Sequence, residues 1–410
     1  MKIGYVYFSA AERNRVANAI RNLQNPGAID ELGIGRVRDA FGEMMFPGIS
    51  TLQNHAKYFV LLPHLYRLAI EEGVLKSPEH AKEVVRKKEI LLTKRLKEGS
   101  AKNTTGITGS DSVDSDTYVR YDPTYIYWSG LQSLGIVKVL GSIYDFIYNQ
   151  SKKVKPASFQ SKKKAEDEQS DDVTCQEWNE FLPKPPTKFD LNKKINIKLN
   201  KAEAVFLKKC ITVTSEKTKN SLFAYILADD RIKQKDSFLN FDISQIKDLE
   251  LRKQIELAQR FSRFMRPVHI YYNKVFAESR RNPNAKVVKE LENKFNAELN
   301  KNKDVYSQKK LDEIFVFLGG FPKGNPIRKF CSEVLQCIKS GKKNGNFSKL
   351  KKLLISREKS VKKTAQCKLS NSKAFEYDSK HPIHNYYLTY RWETAWIVIE
   401  EIRAGLNKKD

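Results

Sequence analysis

Ile243-Ser-Gln-Ile-Lys-Asp-Leu-Glu-Leu-Arg-Lys-Gln-Ile-Glu-Leu-Ala-Gln-Arg-Phe-Ser-Arg-Phe-Met-Arg-Pro267-Val-His-Ile-Tyr-Tyr-Asn-Lys-Val-Phe-Ala-Glu278 decides the fold class. Apolar residues recur along it at helical period. Pro267 should kink or break the helix, because it removes a donor and crowds the preceding turn. Helical patterns follow over 285–300, 309–318, 327–340 and 347–368, and a last one spans 386–404 and ends at Gly405. Working back, Ser221 to Leu227 forms a short helix, and Asn200-Lys-Ala-Glu203 caps one through Val205, Phe206 and Leu207.

The first third follows the same pattern. Ser9-Ala-Ala-Glu12 is a capping box for a helix carrying Val16, Ile20 and Leu23 and stopped by Pro26-Gly27. Gly33 and Gly35 precede a short helix, and Pro47-Gly48 is a turn. Ser50 or Thr51 caps a helix through Leu52, Tyr58, Phe59, Leu62 and Leu65. Ser77-Pro78 and Asp122-Pro123 each open a helix with Pro at its first position. Residues 99–117 form a loop, and Ile143–Tyr148 a short helix. No series of alternating strands and no repeat occurs. The predicted fold is mainly α, multi-helix, in two lobes, with a short strand or extended arm at Met1–Phe8 rather than a signal peptide. Composition shifts place an N-terminal helical domain at 1–150, a charged linker at 151–177 and a C-terminal helical domain at 178–410.

Aromatic residues make up 11% of the 410, which excludes global disorder. The five cysteines, Cys175, Cys210, Cys331, Cys337 and Cys367, are odd in number and lack a C-x-x-C pair, so neither a disulfide framework nor a zinc ribbon is expected. No apolar run spans a membrane, and a reduced, cytoplasmic protein is expected.

The formal net charge is +26, which favours a polyanionic partner unless the cations only solvate a surface. From Lys342 to Lys373 eleven cations face one carboxylate, Glu358. Phosphate backbone would relieve their mutual repulsion and release counterions. Lys342, Lys343, Lys349, Lys351, Lys352, Arg357, Lys362 and Lys363 are therefore candidate nucleic-acid contacts. Arg36, Arg38 and Lys57 join them if they face a phosphate at helix starts; alternatively Arg38 pairs with Asp39 and fixes the Pro47-Gly48 turn.

Motifs of catalysis are missing. His381-Pro-Ile-His384, with Glu376 and Asp378 near, has a metal-like spacing, but the proline disfavours the helix that would converge the rings. Gly33-Ile-Gly35 lacks the third glycine of a dinucleotide site, and no P-loop or G-x-S-x-G is present. Gly319–Gly324 is a loop turn or a phosphate cradle. Tyr125, Tyr127 and Trp128 either stack bases or pack a core. No catalytic residue, metal or cofactor is assigned.

Glu31-Leu-Gly-Ile-Gly-Arg-Val-Arg-Asp-Ala40, Phe46-Pro-Gly-Ile-Ser-Thr-Leu-Gln53 and Ala56-Lys-Tyr-Phe59 form one block. Further landmarks are Tyr127-Trp128-Ser-Gly-Leu, Trp178 before a Leu-Pro-x-Pro-Pro run, Ser221-Leu222, Phe261-Ser262, Tyr390-Arg391-Trp392 and Gly405-Leu406. In these the chain resembles a bacterial family known as a domain of unknown function. Asn54-His55 stands where that family usually has Thr-Arg, and Pro267-Val268 where it often has Gly-Ala. The resemblance implies a place in anti-phage defence islands, beside genes for helicases and phospholipase-D-like nucleases. It supplies no catalytic residues.

The expected function is a non-catalytic defence subunit. It would bind nucleic acid, DNA first, through basic helical surfaces. It would recruit or regulate a helicase or phospholipase-D-like nuclease from the same operon. The alternatives are a catalytic effector nuclease with an unfamiliar site, or a protein-interaction scaffold without nucleic-acid affinity.

Overall fold

The computed structural model describes residues 30–73, 75–114, 118–153, 180–182, 184–234, 237–371, 374–384 and 386–408. The Met1–Phe8 arm, the Ser9 capping box and its helix, most of the 151–177 linker, Cys175 and Trp178 lie outside these residues. The described residues form thirteen α-helices and no strand, a mainly α fold. In chain order these are α1 (Gly35–Met45), α2 (Tyr58–Glu71), α3 (Pro78–Gly99), α4 (Pro123–Ser133), α5 (Ile143–Ser151), α6 (Lys201–Lys209) and α7 (Leu222–Ala228). Then come α8 (Leu249–Glu278), α9 (Ala285–Lys301), α10 (Gln308–Leu318), α11 (Pro326–Asn344), α12 (Ser348–Val361) and α13 (Trp392–Leu406). Two compact units divide the chain, one of residues 1–41 and 256–388, the other of residues 42–255 and 389–410. Residues on both sides of the 151–177 segment belong to the second unit.

Local chemistry starts most helices. Ser77 Oγ accepts from His80 N at 3.2 Å, Asp122 Oδ1 from Tyr125 N at 2.8 Å, and Ser221 Oγ from Ala224 N at 3.3 Å. The Asn200–Glu203 capping box closes with both bonds at 2.9 Å.

Several helices differ from the sequence pattern; the one expected over 347–368 ends at Val361, because Lys362 turns extended at φ −123° and ψ 155°. The helix expected from Leu52 begins at Tyr58, and neither Ser50 nor Thr51 caps it. The preceding amides are already engaged: Asn54 N and His55 N donate to Tyr127 Oη at 3.1 Å, and Ala56 N donates to Glu401 Oε2 at 2.6 Å. The proline break does not occur, and α8 runs through Pro267 as one 30-residue helix. Phe261, Phe264 and Met265 before the proline, and Val268, Tyr272 and Val275 after it, are all buried. Their burial outweighs the ~3 kcal/mol that an interior proline costs. The last helix starts at Trp392, not 386, because Tyr390 and Arg391 have positive φ of 53° and 71° and cannot continue a right-handed helix.

In the second unit residues from distant stretches of the sequence pack against one another. Gly48, at φ +78°, and Gly130 approach so closely that a Cβ on Gly130 would lie 2.7 Å from the Gly48 carbonyl. Gln53 Nε2 donates to that carbonyl at 3.0 Å, and its Oε1 accepts from Ser50 N at 3.2 Å. Phe46 meets Trp392 edge-on at 6.1 Å. A Cβ on Gly405 would sit 2.7 Å from Ala204 Cβ, so α13 crosses α6 only with glycine there. Tyr127 and Trp128 are buried, while Tyr125 is half exposed and stacked on Tyr121 at 4.9 Å.

Candidate functional site

The basic run of residues 342–373 lies in the first unit and separates into two sets. Arg357 Nε donates to the Leu32 carbonyl at 2.9 Å, holding the Glu31-Leu-Gly-Ile-Gly35 turn. Lys362 Nζ and Lys368 Nζ each lie 3.0 Å from Glu31 Oε1, and His384 Nε2 lies 2.9 Å from Glu31 Oε2. Burial alone would raise the Glu31 pKa; hydrogen bonds from His384, Lys368 and Lys362 outweigh it and hold the carboxyl far below the usual range. Behind His384, its ring centroid 5.1 Å away, is His269, which burial and then the His384 charge push down to about 3. Glu358 is fully buried and accepts from Lys368 N and Leu369 N at 2.9 Å and from Tyr272 Oη at 2.7 Å. Buried carboxylates persist only with such compensation. Arg357, Lys362 and Lys368 thus bind the basic run to the Glu31–Gly35 turn.

The other set faces solvent. On α12, Leu350, Leu354 and Glu358 are buried at i, i+4 and i+8. The opposite face carries Lys349, Lys352 and Lys359, exposed at i, i+3 and i+10, with exposed Ser356 between them. Lys363, just past the helix, and Lys343, in the last turn of α11, are exposed as well. No carboxylate pairs with these five lysines among the described residues. Lys351 pairs with Glu278 at 3.0 Å, and Lys342 Nζ donates to the Leu299 carbonyl at 3.0 Å. Lys373 lies outside the described residues.

The remaining candidates sit elsewhere. Arg36 is exposed, its guanidinium 5.7 Å from the Phe321 ring in the Gly319–Gly324 turn. Arg38 lies 3.6 Å from Asp39. In the second unit, Lys57 is buried with its ammonium 2.5 Å from Glu203, which also closes the capping box. That geometry leaves Lys57 no room for a phosphate. His381 is exposed and bonded to Asp378 at 2.8 Å, whereas His384 turns to Glu31, so the two rings do not converge. Among the described residues no three His, Cys, Asp or Glu side chains gather to hold a metal ion, and no helix is long and apolar enough to cross a membrane. The sequence reading missed Lys359 as a contact candidate, although its spacing from Lys349 and Lys352 was the available signal.

A mainly α protein with an unpaired lysine face on one helix is what the geometry defines. The chain belongs to a family of unknown function (DUF6361), whose model matches residues 1–316. No curated protein and no solved structure matches it.

Proposed function

We propose that this protein is a non-catalytic, nucleic-acid-binding subunit, with DNA as its first target, and that the lysine face of α12 makes the contact. The observation that carries this reading is the row of unpaired Lys349, Lys352 and Lys359, flanked by Lys343 and Lys363. Five uncompensated ammoniums along one edge repel one another, and a phosphate backbone relieves that repulsion by releasing counterions. Nothing in the row is shaped to read base edges, so contact is electrostatic and independent of sequence. The setting in anti-phage defence, with recruitment or regulation of a helicase or phospholipase-D-like nuclease, follows from the family resemblance.

The test is a binding titration with duplex DNA and RNA at two salt concentrations with Mg²⁺, the products run on a gel. Intact nucleic acid bound with a steep salt dependence supports the reading. Cleaved product overturns the non-catalytic part. Absence of binding at both salts overturns the nucleic-acid part and leaves the interaction scaffold.

A further inference from the structure

A cleft of about 620 Å³ opens in the first unit between α8, α9 and the turn from α11 to α12. Small-molecule sites have this size, roughly 300–1,000 Å³. Its floor is built before any ligand arrives. The Phe347 ring lies over Gly341, so close that no side chain fits there. Its edge meets Phe295 at 4.8 Å, and Tyr271 Oη donates to the Phe347 carbonyl at 3.0 Å.

The walls are polar and their charges do not cancel. Lys274 pairs with Glu292 and Lys351 with Glu278, both at 3.0 Å. The third ammonium, Lys342, has only the Leu299 carbonyl at 3.0 Å and the Tyr306 ring at 5.7 Å. No carboxylate pairs with it among the described residues. Burial, and then the charge of Lys303, pull its pKa below the usual lysine value. Beside it α12 begins with its first amide, Ser348 N, donating to Asn346 Oδ1 at 2.8 Å, and the helix start as a whole still favours an anion. On α9, the exposed amides of Asn296 and Asn300 stand at i and i+4 on the cleft-facing side.

We propose that this cleft binds a nucleotide unit, with its phosphate at Lys342 and the start of α12 and its base against Phe347 within reach of the Asn296 and Asn300 amides. An aromatic floor, amides that both donate and accept, and one uncompensated cation match a base joined to a phosphate. The choice of a nucleotide among organic anions rests on reading α12 as a nucleic-acid surface, since Ser348 and Lys351 line the cleft and Lys349 and Lys352 belong to the lysine face. The unit is either a free nucleotide or the phosphorylated end of a strand.

The experiment is calorimetric titration of the full-length protein with dAMP, and with a short single strand carrying a 5′-phosphate or a 5′-hydroxyl. Lys342→Met and the double variant Asn296→Ala, Asn300→Ala each weaken binding about tenfold or more, the loss expected for a removed charge-assisted or paired amide contact. The double variant changes exposed side chains, so it keeps the test valid if Lys342→Met fails to fold. Tighter binding of the 5′-phosphorylated strand assigns the ligand as a strand end; dAMP binding with no preference between strands assigns a free nucleotide. Binding of dAMP that survives both variants, or no binding of dAMP at millimolar concentration together with no end-phosphate preference, overturns the proposal. Replacing Lys349, Lys352 and Lys359 by glutamine, with Lys351 kept, leaves dAMP binding unchanged, so failure of the cleft and failure of the lysine face are read separately.

Discussion

Replacing Lys349, Lys352 and Lys359 together by glutamine removes three charges from α12 without disturbing its packing, since all three are exposed. Glutamine is as good a helix former as lysine, so the helix persists. From Lys349 to Lys359 the helix advances about 15 Å at ~1.5 Å per residue. That length spans about four phosphates of one strand at ~3.4 Å each, so three simultaneous contacts are sterically reasonable. Each contact to a duplex contributes about −0.9 to the slope of log K against log salt, so the triple variant should flatten the slope by about 2.7. Between about 50 and 200 mM salt, three contacts account for roughly a 40-fold loss of affinity, which the variant escapes. Fluorescence anisotropy with a labelled duplex over a salt series measures both slopes. An unchanged slope would refute the assignment of the contact to this face, whatever the absolute affinity.

Three further perturbations address the buried charges. Lys57→Met leaves the Glu203 carboxylate buried without its ammonium and should destabilise by about 3–5 kcal/mol, whereas Lys57→Met with Glu203→Gln should recover part of that loss in a denaturant-melt double-mutant cycle. Glu31→Gln removes the acceptor shared by Lys362, Lys368 and His384. Its lowered pKa gives stability that is present above the unfolded value of 4.5 and lost as pH falls below it, so wild type should lose stability on acidification where the variant stays flatter. Glu89 is buried, and burial, then Asp122, raise its pKa from 4.5 to about 8. Its neutral form contributes stability that is complete below 4.5 and lost as pH rises toward about 8, on the order of 5 kcal/mol, so Glu89→Gln should abolish most of the fall in urea midpoint between those limits.

Local signals were legible in the sequence, and long-range ones were not. The helix starts at Ser77-Pro78, Asp122-Pro123, Asn200 and Ser221 rest on bonds that act within three residues, so local sequence revealed the starts. The start of α2 depends on Tyr127 and Glu401, whose distance along the chain no local pattern encodes. The positive φ at Tyr390 and Arg391 was equally hidden, because neither residue type announces a left-handed conformation. Two of the three divisions between the units, after Phe41 and after Ile255, fall inside α1 and α8, where no glycine- or proline-rich segment marks them. Compositional reasoning looks for linkers and passes over such points. In the candidate site, the exposed lysines were legible as a charge run, but the run gave no sign of which members point inward.

Helical phase separates them. Once Leu350 and Leu354 commit one side of α12 to the core, Glu358 must follow them inward, and Lys349, Lys352 and Lys359, on the opposite side, must face water. A buried carboxylate at that position requires donors, which the backbone amides of Lys368 and Leu369 and the Tyr272 hydroxyl provide. The chain folds back after α12 to bring those amides there, and the fold-back carries Lys362 and Lys368 onto Glu31. Two cations of the run are therefore consumed by the same packing that exposes Lys349, Lys352 and Lys359. A basic stretch on a helix is better divided by its apolar stripe before its charge is assigned to a ligand. Here that division reduces a run of eleven cations to a short row on one face, which is a narrower and more testable surface than the net charge of +26 suggests.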